Sequence, residues 1–198
     1  MELPMTVRSA ARPILPIFIE RWSPRTFDES AITHEDLMPM FEAARWAPSA
    51  FNLQPWRFLY ALRGDADWSQ FLSLLIPWNQ SWAQNASALI YLLSDRMAET
   101  KSGDLEPSYS HSFDAGAAFA QFALQAHALG FHSHGMTGFR HDDANSALGV
   151  PERFRIEAAI AVGRVTNVDP VAASKEKLSD RKAVETFAKQ GKFSDQLL

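Results

Sequence analysis

Residues 115–129, AGAAFAQFALQAHAL, constrain the fold more than any other stretch of this chain. Preceded by Asp114 and followed by Gly130, they read as a helix over Ala115–Leu129, with an acidic N-cap and a glycine just past its end. Phe119, Phe122, Ala123 and Ala126 share its surface with Ala117, Ala118 and Leu124, so the helix is apolar nearly all round. Such a helix needs partners on several sides, supplied by its own sheet or by a second subunit.

The rest of the chain offers that sheet. Trp56–Leu62, Ala88–Leu93 and Ile156–Val165 are short, largely apolar runs that read as strands. Thr33-x-x-Asp36 predicts a capping box opening a second helix, with Leu37, Met40, Phe41 and Ala44 as its apolar stripe. Pro39 lies inside that helix and predicts a kink or a later start, and Ala47-Pro48-Ser49 ends it. Asp65–Leu75 is helix-like, Ile76–Gln84 reads as a loop or short helix, and Asp142–Leu148 reads as a helix closed by Gly149. Polar Met97–Tyr109, with Gly103 and Pro107, is expected to be an excursion or lid. The irregular alternation predicts an α+β sandwich around a modest mixed sheet, as a single domain over 1–198 with an N-terminal arm at 1–20. The tail from Asp169 is polar and helix-prone, so 169–198 is expected to pack on another surface as an extension.

Several chemistries are excluded. The chain has no cysteine, so no thiolate nucleophile, disulfide, iron–sulfur cluster or cysteine-ligated zinc is available. Its formal charge of −4 gives no general attraction to nucleic acid or to an anionic membrane, so any anion site must be local. The apolar segment Pro13–Ile19 carries two prolines and stops at Glu20, a poor secretory leader, and Ala86–Leu93 is far short of the roughly 20 residues that span a bilayer. A cytoplasmic protein is expected. No dinucleotide-binding glycine pattern, P-loop or nucleophile elbow is present; in Gly130-Phe-His-Ser-His-Gly-Met136, methionine stands where a P-loop needs lysine. His132, His134, His141, Asp142 and Asp143 match no metal-site spacing and read as loop or surface residues.

Two strings remain: Arg21-Trp22-Ser23-Pro24-Arg25 and Ala47-Pro48-Ser49-Ala50-Phe51-Asn52-Leu53-Gln54-Pro55-Trp56. Arginines four residues apart suit a phosphate, because each guanidinium donates a bidentate pair of hydrogen bonds. The second string is dense in polar groups immediately before a strand, where a ligand can be held against a rigid edge.

In this order the strings resemble the nitroreductase family of FMN-dependent oxidoreductases. The likeness runs from Phe18 to Phe187 through R-x-S-x-R, A-P-S-x-x-N-x-Q-P-W, N-Q-x-W, D-A-G-A-A, G-M-T-G-F, A-V-G and a final Arg181. It implies a mostly antiparallel sheet flanked by helices in an intertwined homodimer. It also implies that Arg21 and Ser23 hold the FMN phosphate and ribityl chain, Trp22 contributes backbone, and Arg25 approaches the pyrimidine edge. Pro48, Ser49, Ala50 and Asn52 match a segment that covers the flavin from the second subunit. Asn79 matches a ring-contacting amide, Met136, Thr137 and Gly138 match a turn whose backbone faces flavin N5, and Arg181 matches a phosphate ligand. Phe51, Trp82 and Phe113 would line an apolar substrate pocket. Two departures stand out: many members carry an acidic residue at the position of Thr137, and some larger ones carry lysine at that of Trp82.

The resemblance implies ping-pong hydride transfer, with NAD(P)H as reductant and a flat nitroaromatic or quinone as acceptor. The cofactor does the chemistry, so no catalytic side chain and no metal are needed. Two alternatives stay open: a flavin-binding or flavin-storing protein of the same fold with little turnover, and a relative specialised for dehalogenation, azoline oxidation or flavin destruction.

Overall fold

The computed structural model describes residues 8–165, 176 and 178–193. Its centre is a four-stranded sheet made of β1 (Trp56–Leu62), β2 (Ala88–Asp95), β5 (His132–Met136) and β6 (Phe154–Gly163). The strand order is β1-β2-β6-β5, and every pairing is antiparallel. β2 is buried along its whole length, which explains why its run is apolar without alternation. Its odd and even residues still divide between the two faces. Leu89, Tyr91 and Leu93 enter one core with Phe71, Trp82, Phe139 and Ile156. Ala88, Ile90 and Leu92 enter the other with Leu37, Met40, Phe122 and Ile160.

Helices cover both faces. α2 (His34–Arg45) and α5 (His111–Ala128) pack over one, while α3 (Trp68–Ser73), α4 (Pro77–Ala83) and α6 (His141–Ala147) contribute to the other; α1 (Ile17–Glu20) is a single turn in the arm. The capping box at Thr33 forms: Thr33 Oγ1 accepts from Asp36 N–H at 3.1 Å and Asp36 Oδ2 accepts from Thr33 N–H at 2.9 Å. Those bonds hold the Asp36 carboxyl below its ordinary pKa. Pro39 does not delay the helix, which runs from His34 to Arg45, although proline there removes one donor and crowds the carbonyl four residues before it.

Other boundaries move. The long helix begins at His111 with Ser110 as N-cap, so Asp114 lies inside it rather than capping it. Helix in 65–75 is confined to α3. The 97–109 excursion contains a hairpin of β3 (Met97–Glu99) and β4 (Leu105–Pro107). β5 arises where the sequence showed no strand, because pairing with β6 rather than side-chain propensity forms it. His132 and His134 therefore lie on a strand, half-buried, and not in a loop. Of the expected C-terminal extension, residues 169–175, 177 and 194–198 lie outside the described residues; the described part forms a short 3-10 turn at Val184–Thr186.

Candidate functional site

The residues singled out from sequence fall into two groups on opposite edges of the sheet. The first gathers beside β5. Residues 21–25 run along it: the Trp22 ring meets His132 edge-on at 5.8 Å, and the Pro24 carbonyl accepts from His134 Nδ1 at 2.9 Å. Burial, with Arg181 and Arg8 nearby, lowers the pKa of Arg21, which donates to Ser23 Oγ at 3.4 Å. Arg8, in the N-terminal arm, reaches the same place. Its guanidinium donates to the carbonyls of Ile19 at 3.1 Å and Arg21 at 3.2 Å, and burial followed by the charge of Arg181 lowers its pKa. Three cations therefore lie close enough to repel one another. Among the described residues no ion pair engages Arg8, Arg21, Arg25 or Arg181.

Just past β5, Gly138 is clamped from α4. Its carbonyl accepts from Asn79 Nδ2 at 2.9 Å and from Ile76 N–H at 3.1 Å. A Cβ at Gly138 would stand 2.5 Å from Asn79 Nδ2 and 2.8 Å from Ile76 Cδ1, closer than such atoms approach, so a larger residue there would displace one of those two side chains. Met136 is buried in the core and Thr137 is exposed. Trp82 is buried, stacked on Phe27 at 6.3 Å and tilted against His134 at 4.8 Å, with its indole N–H unpaired. Glu176 was not foreseen: one carboxylate oxygen accepts from Arg25 N–H, and the other is buried without a partner.

Burial keeps both strand histidines neutral, lowering His134 and pushing His132 down to about 4, with His127 and Arg21 adding to the effect at His132. No group of three or more potential ligands able to hold a metal occurs among the described residues.

The second group lies before β1, on the other edge. Ala50–Asn52 form one 3-10 turn, and the backbone is left-handed at Phe51 (φ 50°), Asn52 (φ 58°) and Gln54 (φ 50°). Asparagine tolerates that region, whereas strain of roughly 1–3 kcal/mol is the ordinary cost for a bulky residue. Ser49 Oγ accepts from Gln54 N–H at 3.0 Å, and Asp114 Oδ2 accepts from Ala50 N–H at 3.2 Å. Pro48 and Asn52 are exposed, and so are the two other expected pocket residues: Phe51 is 98% exposed and Phe113 81%. With three strand spacings of about 4.8 Å between β1 and β5, the two groups stand well over 10 Å apart in one chain. They also lie against opposite faces, since α4 packs in one core and α5 in the other.

With this geometry in view, the chain can be compared with known proteins. The nitroreductase family model matches residues 19–72 and 66–164, and the chain belongs to that family. A solved oxidoreductase containing FMN is 43% identical, with a TM-score of 0.88, covering 94% of this chain and 96% of its own. A Desulfovibrio desulfuricans protein solved in complex with FMN is 25% identical, with a TM-score of 0.69, covering 93% of this chain and all of its own. Among curated sequences, an Archaeoglobus fulgidus protein provisionally named NADH dehydrogenase/NAD(P)H nitroreductase is 28% identical over 153 residues, which is 75% of this chain and 83% of that protein.

Proposed function

We propose that this protein is an FMN-dependent, NAD(P)H-consuming oxidoreductase that reduces flat acceptors such as nitroaromatics and quinones. We further propose that it works in the cytoplasm as a homodimer, each site combining the β5-edge group of one chain with the 48–54 loop of the other. The observation that carries this reading is the separation of the two groups. Each alone is half a site: one has cations and a backbone clamp with no cover, the other has a strained aromatic loop with nothing beneath it. A twofold axis that brings the edge of one chain to the opposite edge of its partner completes both sites at once. The exposed face of α5, with Phe113, Gly116 and Ala120, offers the small and apolar surface that such packing needs.

The β5-edge residues fit FMN on their own chemistry. Three mutually repelling guanidiniums, one with a buried Nε lacking a partner, suit a dianionic phosphate; the orphaned Glu176 oxygen suits a ribityl hydroxyl. Arg21 and Arg181 would hold the phosphate with Ser23, and Arg25 would place positive charge beside the pyrimidine edge. Asn79, by clamping Gly138, would hold the 136–138 turn against the ring. Phe51 and Phe113 would wall the acceptor pocket, with Trp82 packed beneath. Bound FMN would supply hydride acceptance and donation, so the side chains need only bind, orient and exclude water.

The test begins with the visible spectrum of freshly purified protein and identification of any chromophore released on denaturation. Released FMN, reduction by NADH or NADPH and reoxidation by 1,4-benzoquinone are expected. A colourless protein that stays colourless after incubation with FMN would overturn the proposal. Sedimentation of the flavin-loaded protein as a monomer would overturn the shared site. Bound FMN with no NAD(P)H turnover would favour the storage reading instead.

A further inference from the structure

We infer that Asp114 is a positioning residue: from the first turns of α5, its buried carboxylate holds the 49–54 loop in the left-handed shape that presents Phe51 and Asn52. This rests on the flavin reading, in which that loop covers the cofactor of the partner subunit. Asp114 is 2% exposed, and one oxygen, Oδ2, accepts both the Ala50 N–H at 3.2 Å and the Ser110 hydroxyl at 2.9 Å. A single atom thus ties the loop to Ser110, the N-cap of α5, and to the helix itself. Helix capping does not account for this burial, because Ser110 is the N-cap and Asp114 is the fourth helical residue.

The loop needs such an anchor. Ala50 opens a 3-10 turn, so its N–H has no partner within the turn. Phe51, left-handed and 98% exposed, buries nothing that would offset its strain within one chain. Gln54, left-handed as well, is tied through its N–H to Ser49 Oγ at 3.0 Å, through its side chain to the Asn52 carbonyl at 3.1 Å and through its carbonyl, which accepts from Arg57 Nη1 at 3.0 Å; none of these bonds reaches beyond the loop and the start of β1. Without the Ala50–Asp114 bond the backbone has an incentive to relax to right-handed or extended conformations. Asn52 and Phe51 would then swing away from the ligand.

The full-length protein tests this through FMN dissociation constants, read by flavin fluorescence quenching, and amide exchange across 49–54 in the flavin-free protein. Asp114→Ala is expected to weaken FMN binding about tenfold and to speed exchange in the loop. Asp114→Asn, which keeps a carbonyl acceptor, should fall between. Gln54→Gly separates positioning from plain stability: glycine carries no steric penalty at that φ, so added to Asp114→Ala it should recover roughly threefold in affinity. The single variant Gln54→Gly gives the effect of the glycine itself, against which the double variant is read. Asp114→Ala that binds FMN like the wild type, or a loss that Gln54→Gly does not recover, would overturn the inference. Should Asp114→Ala fail to melt cooperatively, the same comparison is made with Asp114→Asn, alone and with Gln54→Gly. A wild type that binds no FMN would overturn the flavin reading, while accelerated loop exchange in the variant would still register the anchor.

Discussion

The two halves of the candidate site are built by opposite means. At the β5 edge, position is enforced by packing: Gly138 has no room for a methyl group, Asn79 is buried, and residues 21–25 lie along a strand. Before β1, position is enforced by a few hydrogen bonds against the preference of the backbone, with large side chains left in solvent. The first arrangement suits groups that must not move relative to a cofactor. The second suits a cover that is completed only when another chain arrives, because its exposed aromatic surface has value only once buried.

Substitutions can break this contrast, and the largest effect is expected where packing is tightest. Gly138→Ala forces Asn79 or Ile76 to shift, so it should cost about 1–3 kcal/mol of stability and abolish flavin retention, read by thermal melting and the spectrum of the purified variant. Arg21→Ala should weaken FMN binding by roughly 10- to 100-fold, the loss of a charged hydrogen-bond partner, while leaving riboflavin binding nearly unchanged. Equal losses for both flavins would remove Arg21 from the phosphate.

A third test uses pH. His132 is held at about 4 in the folded protein against 6.5 as its ordinary value, so the unfolded chain takes up the proton first as pH falls. Stability from the neutral imidazole is complete above pH 6.5 and is lost as pH drops from 6.5 toward 4. The urea midpoint should therefore fall across that window in the wild type and fall less in His132→Gln; His134, lowered in the same direction, contributes the remainder. The smallest effect on folding belongs to the cover. Phe51→Ala should change the stability of the single chain by less than about 0.5 kcal/mol, yet raise KM for 1,4-benzoquinone in the flavin-loaded dimer. A large melting shift without a KM change would assign Phe51 to folding instead.

Local chemistry explains which features were legible beforehand. The capping box at Thr33, the two apolar runs that became β1 and β2, the stop at Gly130 and the ordered strings from Arg21 to Arg181 are patterns among near neighbours in the chain. Asp114 shows where such reading stops. A carboxylate before an alanine-rich run looks like a cap, and only the approach of Ala50, far away in sequence, reveals its other use. β5 is similar, since His132-Ser-His-Gly-Met136 becomes a strand because β6 presents it with an unpaired edge. Trp82 looked like a pocket wall by position, and its burial against Phe27 and His134 follows from how α4 meets the sheet.

The sequence by itself determined the main helices, the three apolar strands, the family and the inventory of cations and amides, because capping, periodicity and motif order act over a few residues at a time. Only the tertiary structure decided that Arg8 joins the cations, that Glu176 meets Arg25, that Asp114 anchors the loop, and that the two half-sites stand on opposite edges of one sheet. Those relations depend on which distant segments the hydrophobic cores bring together, and burial, which drives that assembly, carries no direction along the chain.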